Sequence, residues 1–197
     1  MSSIQQKFEE SAKKLKGKEL EKLIEEILDS ELYITSSFLN YPNIQELKSG
    51  NKHYDTLYLF SILTYKDYKN NRAKYLTLNE KLLKKLKCIS ILEVAKTKKF
   101  LEYSFLKINF DIKTNYEIEE LLFTLISKDL INGLVNSKEE NVSIYSVKPR
   151  LNLIKMKEAE ELIDKLLDNI NDASEFLFDE EKRIKEKTKE LNSVLSI

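Results

Sequence analysis

The stretch DLINGLVNSKEENVSIYSV, Asp129 to Val147, decides how the rest of the chain is read. Everything around it has the look of helix after helix, and here the chain stops to make a hairpin. Leu130, Ile131, Leu134 and Val135 precede a polar tip, Asn136 to Asn141. Val142, Ile144 and Val147 then return, the first two in the period-two alternation of a half-buried strand. Only two strands are evident. A two-stranded sheet is marginal in water unless something packs on it, so the hairpin is expected to lie against the helices just before it. Helices followed by a hairpin predict a winged helix, with Gly133 where the chain turns into the wing.

Upstream, from Asn79, the apolar spacing supplies the helices such a unit needs. Asn79 is a predicted cap for a helix carrying Leu82, Leu83 and Leu86, with Ser90 starting its continuation through Leu92 and Ala95. Tyr103 to Ile108 reads as a short second helix. Asn115 precedes a third, with Ile118, Leu121, Leu122, Leu125 and Ile126 on its inner side.

Residues 1–78 read as an irregular array of helices. Ile4, Phe8, Ala12 and Leu15 form one apolar stripe that Gly17 can end, and Leu20, Leu23, Ile24, Ile27 and Leu28 form the next. A short helix stops before Pro42, because the residue before proline is pushed out of helical geometry. Asn43 with Glu46 suggests a capping box for the following turn, and Tyr54 to Tyr65 continue as an aromatic-rich helix. Downstream of Pro149, Ala159, Ile163, Leu166, Ile170, Ala173, Leu177 and Ile184 keep the beat of a helical seam that another helix would cover. Breaks at Glu180 and Lys187 favour a short bundle over a long coiled coil. The expected fold is therefore mostly α: a helical-repeat array (1–78), a winged helix with a small hairpin wing (79–149) and a long C-terminal helix (150–197).

Composition narrows the function. The 197 residues are 42% hydrophobic, enough for a real core, and three Gly with two Pro leave little material for long linkers. Lys plus Arg equals Asp plus Glu at 33 each, so the chain lacks the global positive charge that drives nucleic-acid binding through counterion release. A lone Cys88 excludes an internal disulfide and a cysteine-rich zinc site, and fits a reducing compartment. No apolar run approaches the roughly 20 residues that span a bilayer. A soluble, intracellular protein without a membrane partner is expected.

No chemistry-bearing constellation stands out, so no catalytic, metal-binding or cofactor-binding residues are assigned. His53 lies beside Asp55, but a general base needs a positioned set of partners, and a helix-start histidine is the plainer reading. The basic cluster Lys81, Lys84, Lys85, Lys87, Lys96, Lys98 and Lys99 is the best argument for nucleic acid. Against it, the third helix presents Glu117, Glu119 and Glu120, which repel phosphates where a groove-reading helix would attract them. The module looks adapted to protein contact. Its wing edge, Leu134, Val135, Val142, Ile144 and Val147, is the predicted interface for neighbouring subunits, and the seam after Pro149 is the second.

This order of a helical array, a winged helix and a terminal helix resembles the PCI family, the module shared by the proteasome lid, the COP9 signalosome and translation initiation factor 3. The succession KGKELEKLIEEILDS, FLNYPNIQELKSG, LFSILTYKDYKNN, LTLNEKLLKKLKCISILEVAK and the hairpin is most similar to the signalosome branch, from about Lys16 to Arg150. The resemblance implies a non-catalytic scaffold of the complex that removes Nedd8 from cullin-RING ligases. It implies assembly through winged-helix edges and a C-terminal bundle. The partners it implies are other PCI subunits and metalloprotease-fold subunits, with cullin ligases indirectly, in cytoplasm and nucleus. The same architecture would serve a proteasome-lid or initiation-factor subunit, and a nucleic-acid-binding winged helix is the rival from another class. An exposed seam also leads to an expectation that the isolated chain self-associates.

Overall fold

A computed structural model describes residues 3–48, 50–149, 163–167, 169–171, 173–174, 176–178 and 184–185. It divides into two compact units, 1–152 and 153–197.

The first unit begins with two helices at a tight bend. Helix α1 (Ser3–Lys14) gives way to α2 (Gly17–Asp29) through Gly17, whose φ of +56° lies in the left-handed region that glycine adopts without a Cβ clash. Leu20, Leu23, Ile24, Ile27 and Leu28 of α2 are all buried, as their spacing predicts. After a 3-10 turn (Ser36–Asn40), Pro42 occupies the first position of the short helix α3 (Pro42–Glu46), where its missing N–H is harmless. Asn43 is therefore inside that helix and is not its cap. Its amide donates to the carbonyls of Ala12, Lys13 and Leu15 at 3.3, 3.1 and 3.0 Å, closing the end of α1.

The aromatic-rich segment splits in two. Asn51 caps α4 (Lys52–Ser61) by accepting from the amides of His53 and Tyr54 at 2.8 and 3.4 Å. A new start signal then opens α5 (Tyr65–Asn70), where the Asp67 carboxylate accepts from the Thr64 amide and hydroxyl at 2.9 and 2.7 Å. Asn79 caps α6 (Glu80–Thr97) as expected, its side chain accepting from Leu82 N at 2.8 Å. Ser90 starts nothing. Buried within α6, its hydroxyl donates to the Leu86 carbonyl and accepts from the Tyr65 amide at 2.7 Å, so it ties the first turn of α5 to the middle of α6.

A third strand joins the hairpin. Strand β1 (Phe100–Glu102) leads into α7 (Tyr103–Phe110), which is followed by α8 (Asn115–Ser127), β2 (Ile131–Asn136) and β3 (Asn141–Val147). The sheet is antiparallel in the order β1-β3-β2, with Leu101 opposite Val142 and Val142 opposite Val135. Three residues with one buried side chain, wedged between two helices, are too short to show a period, and β1 was hidden for that reason. Thr114 caps α8 by accepting from Glu117 N at 3.2 Å, while Asn115 reaches across to Glu140 at 2.7 Å.

The inner face of the sheet packs on α6 and α8. Leu101, Ile131, Val142 and Ile144 there are continuous with a core that includes Ile24, Phe60, Leu86 and Leu121, so burial runs unbroken across residue 78. Gly133 is in the body of β2, at a register shift, and makes no turn. A Cβ there would fall inside the contact distance of the Ser143 carbonyl oxygen and 3.3 Å from Ile144 Cα, both backbone atoms. Gly133→Ala is expected to spread β2 from β3 and lower unfolding stability by about 2 kcal/mol in urea titrations, whereas Asn132→Ala, at an exposed neighbouring site, should change it by less than about 0.5 kcal/mol.

Candidate interaction surfaces

The sheet divides the predicted wing-edge residues between its two faces, with a register shift at Asn132/Gly133 that turns Val147 inward again. Val142 and Ile144 point into the core at 0% and 3% exposure, Val135 and Val147 are half-buried against it, and Leu134 is 60% exposed. Because β3 is the central strand, β2 runs along one side of it and β1 along Asn141 to Ser143 of the other, and the outer edges belong to β1 and β2. The six residues of β2, INGLVN, include no charge and no proline, two devices that commonly blunt an edge. Leu134 lies across Ser143 from Phe100 on the outer face, and Tyr145 follows two residues on. Phe100 and Tyr145 are 53% and 63% exposed, forming with Leu134 an apolar patch that the sequence reading overlooked. The same alternation that placed Val142 and Ile144 inside places Tyr145 outside; Phe100 needed β1 to be seen first.

In the second unit, Ile163, Leu166, Ile170, Ala173, Leu177 and Ile184 are helical and exposed. Ala159 lies outside the described residues. Leu167, Phe176 and Phe178 are exposed as well and widen the stripe beyond a two-per-heptad seam, the width that suits a bundle of several helices.

The lysine cluster is largely engaged within the chain. Lys84 bridges to Glu120 at 3.1 Å and Lys87 to Glu117 at 2.9 Å, so two of the acidic residues of α8 are matched by α6. The Glu120 hydrogen bond holds the Lys84 ammonium above the usual lysine range. Lys96 pairs with Glu93 at 2.7 Å, and Lys98 stands 4.1 Å over the Phe105 ring. Lys81 donates to the Asp29 carbonyl at 2.7 Å. Lys85 is buried, and its ammonium donates to the carbonyls of Leu28 and Ser30 at 2.5 and 2.8 Å.

That last contact anchors a junction. Lys85 and Lys128 both approach the Tyr33 ring, at 5.8 and 5.5 Å, and Lys128 bridges to Glu31. The segment after α2 is thereby held to α6 and to the end of α8. Burial pushes the Lys85 pKa down to about 8 and pushes the Tyr33 hydroxyl up.

His53 turns to Glu25, with Nε2 at 2.9 Å from the carboxylate, while Asp55 pairs with Lys74 at 3.4 Å, so the two neighbours in sequence do not act together. The Cys88 thiol is buried, and burial pushes it up to about 12, far from the thiolate a nucleophile needs. Among the described residues no three His, Cys, Asp or Glu side chains are grouped to hold a metal ion.

A mostly helical fold with a small antiparallel sheet, presenting apolar side chains on its sheet and terminal helix, is consistent with a PCI-type subunit. No family model matches the chain. Among the curated relatives that match it are three proteins each named COP9 signalosome complex subunit 7. The Dictyostelium discoideum protein is 29% identical over 136 residues, 68% of this chain and 52% of the relative. The Drosophila melanogaster protein is 30% identical over 131 residues, 65% and 47%. The Arabidopsis thaliana protein is 30% identical over 118 residues, 59% and 44%. The chain spans about half the length of the curated relatives it matches. These relatives bear out the resemblance read from the order of its segments: the chain is similar to subunit 7.

The buried ammonium makes stability depend on pH. The unfolded lysine titrates near 10.5 and the folded one near 8, so between these values the unfolded chain holds the extra proton and the folded state gains as pH rises. Burial also holds Cys88 and Tyr33 protonated, which opposes this gain, so the lysine's share is read against Lys85→Met: from pH 8 to 10 the unaltered chain is expected to gain about 2 kcal/mol relative to that variant in denaturant titrations.

Proposed function

We propose that this chain is a non-catalytic scaffold subunit of a COP9 signalosome, the assembly that removes Nedd8 from cullin-RING ligases. The observation that carries the reading is its similarity to subunit 7 from slime mould, fly and plant over 59–68% of its length. The order α6-β1-α7-α8-β2-β3, with the β2–β3 hairpin as wing, supports a winged helix at 79–149 after an array at 1–78, and the apolar spacing of the sequence supports a C-terminal helix at 150–197. Two surfaces suit a scaffold: the uncharged β2 edge invites a strand or edge from a neighbouring PCI subunit, and the wide stripe from Ile163 to Ile184 invites a helical bundle that includes metalloprotease-fold subunits. Contact with cullin ligases is then indirect, in cytoplasm and nucleus, and the internally engaged lysines argue against nucleic acid as the partner.

Affinity purification of the tagged chain from its own cells, with Nedd8 removal from cullins assayed in the eluate, tests this. Several PCI subunits, a metalloprotease subunit and deneddylation are expected to copurify. Proteasome-lid or initiation-factor subunits in their place would overturn the function and keep the fold, and nucleic acid without PCI partners would overturn the scaffold reading. Ile163→Asp with Ile170→Asp should leave the chain folded by circular dichroism and reduce recovery of partners at least about tenfold, since each substitution places a charge in an apolar contact.

A further inference from the structure

A cavity of about 200 Å³ opens among α2, α4, the start of α6 and the segment Leu76–Leu78. Half of its lining residues are leucine: Leu28, Leu76, Leu78 and Leu82. Among the described residues the only ionisable side chains lining it are Glu25 and Asp29, one turn apart on α2 and both exposed. Glu25 also meets His53, and Asp29 has no ion pair among the described residues. The neighbouring cations do not fill this role, because Lys81 and Lys85 are turned to the carbonyls of Asp29, Leu28 and Ser30. Beside the cavity, residues 76–78 belong to no helix or strand. Their one hydrogen bond among the described residues is from Leu76 N to Thr56 Oγ1 at 2.9 Å, so the backbone of Thr77 and Leu78 is unpaired.

We propose that this cavity docks an extended segment of a partner protein that inserts one arginine or lysine side chain. The leucines would cover the aliphatic stem, the two carboxylates would take the cation, and the backbone of Thr77 and Leu78 would pair with the incoming strand. Size decides the class of ligand. The volume falls below the ~300–1,000 Å³ of sites for whole small-molecule ligands and suits a single long side chain. Charge decides the sign, since a recess half lined by leucine, with carboxylates as its only ionisable groups among the described residues, favours a cation with an apolar stem over an anion.

The test uses the full chain, isotope-labelled, titrated with acetyl-Val-Arg-Val-amide and with the same peptide carrying citrulline, the neutral isostere of arginine. The expected result is a saturable shift of the Thr77 and Leu78 amide signals with the arginine peptide and about tenfold weaker binding of the citrulline peptide. Asp29→Asn, at an exposed position, should weaken the arginine peptide to the level of the citrulline one without changing the melting temperature. Equal binding of the two peptides, shifts confined to other surfaces, or no saturable shift at millimolar peptide would overturn the proposal; the peptide comparison in the unaltered chain decides it even if the variant folds poorly.

Discussion

One ammonium group holds two helices of the first unit together. The last carbonyls of α2 have no partner within the helix, and left bare in the interior each would carry a desolvation penalty of about 1–3 kcal/mol. Lys85, from the first half of α6, reaches the carbonyls of Leu28 and Ser30, with Phe60 and Tyr33 rings beside it. Its own burial is tolerated because the same two bonds satisfy it, and because a lysine can shed its proton where an arginine cannot. The Tyr33 segment, Lys128 and Glu31 assemble around that point and bring the end of α8 to the end of α2.

The same economy explains the surface. A lysine-rich α6 packed beside a glutamate-bearing α8 matches charge along the contact, Lys84 to Glu120 and Lys87 to Glu117. The partly exposed Lys84–Glu120 pair adds little stability, but together the two pairs match lysines of α6 to carboxylates of α8. Apolar side chains are left exposed in the patch of Phe100, Leu134 and Tyr145 on the sheet and in the stripe of the second unit. Surfaces of that character are ones other proteins cover.

Reading the elements from sequence succeeded where a period was long enough to see. The stripe of α2, the Asn79 cap and the inward alternation of Val142 and Ile144 are each visible without coordinates. Reading failed where a side chain serves a distant partner. Asn43 looks like a cap and instead closes α1, Ser90 looks like a start and instead fastens α5, and Gly133 looks like a turn and instead admits the backbone of β3. In each case the residue type announced a special local role, and the role was tertiary.

The chain by itself determined its class: helical periodicity, balanced charge, one hairpin and an order of segments similar to subunit 7 are properties of local spacing and composition, which need no partner to be expressed. Only the tertiary structure decided which surfaces are free. Whether a lysine is a phosphate ligand or an internal cap, and whether a valine is an edge contact or core, depends on what approaches it from tens of residues away. Lys85 and Leu28 meet across 57 positions, and no short-range pattern encodes that meeting.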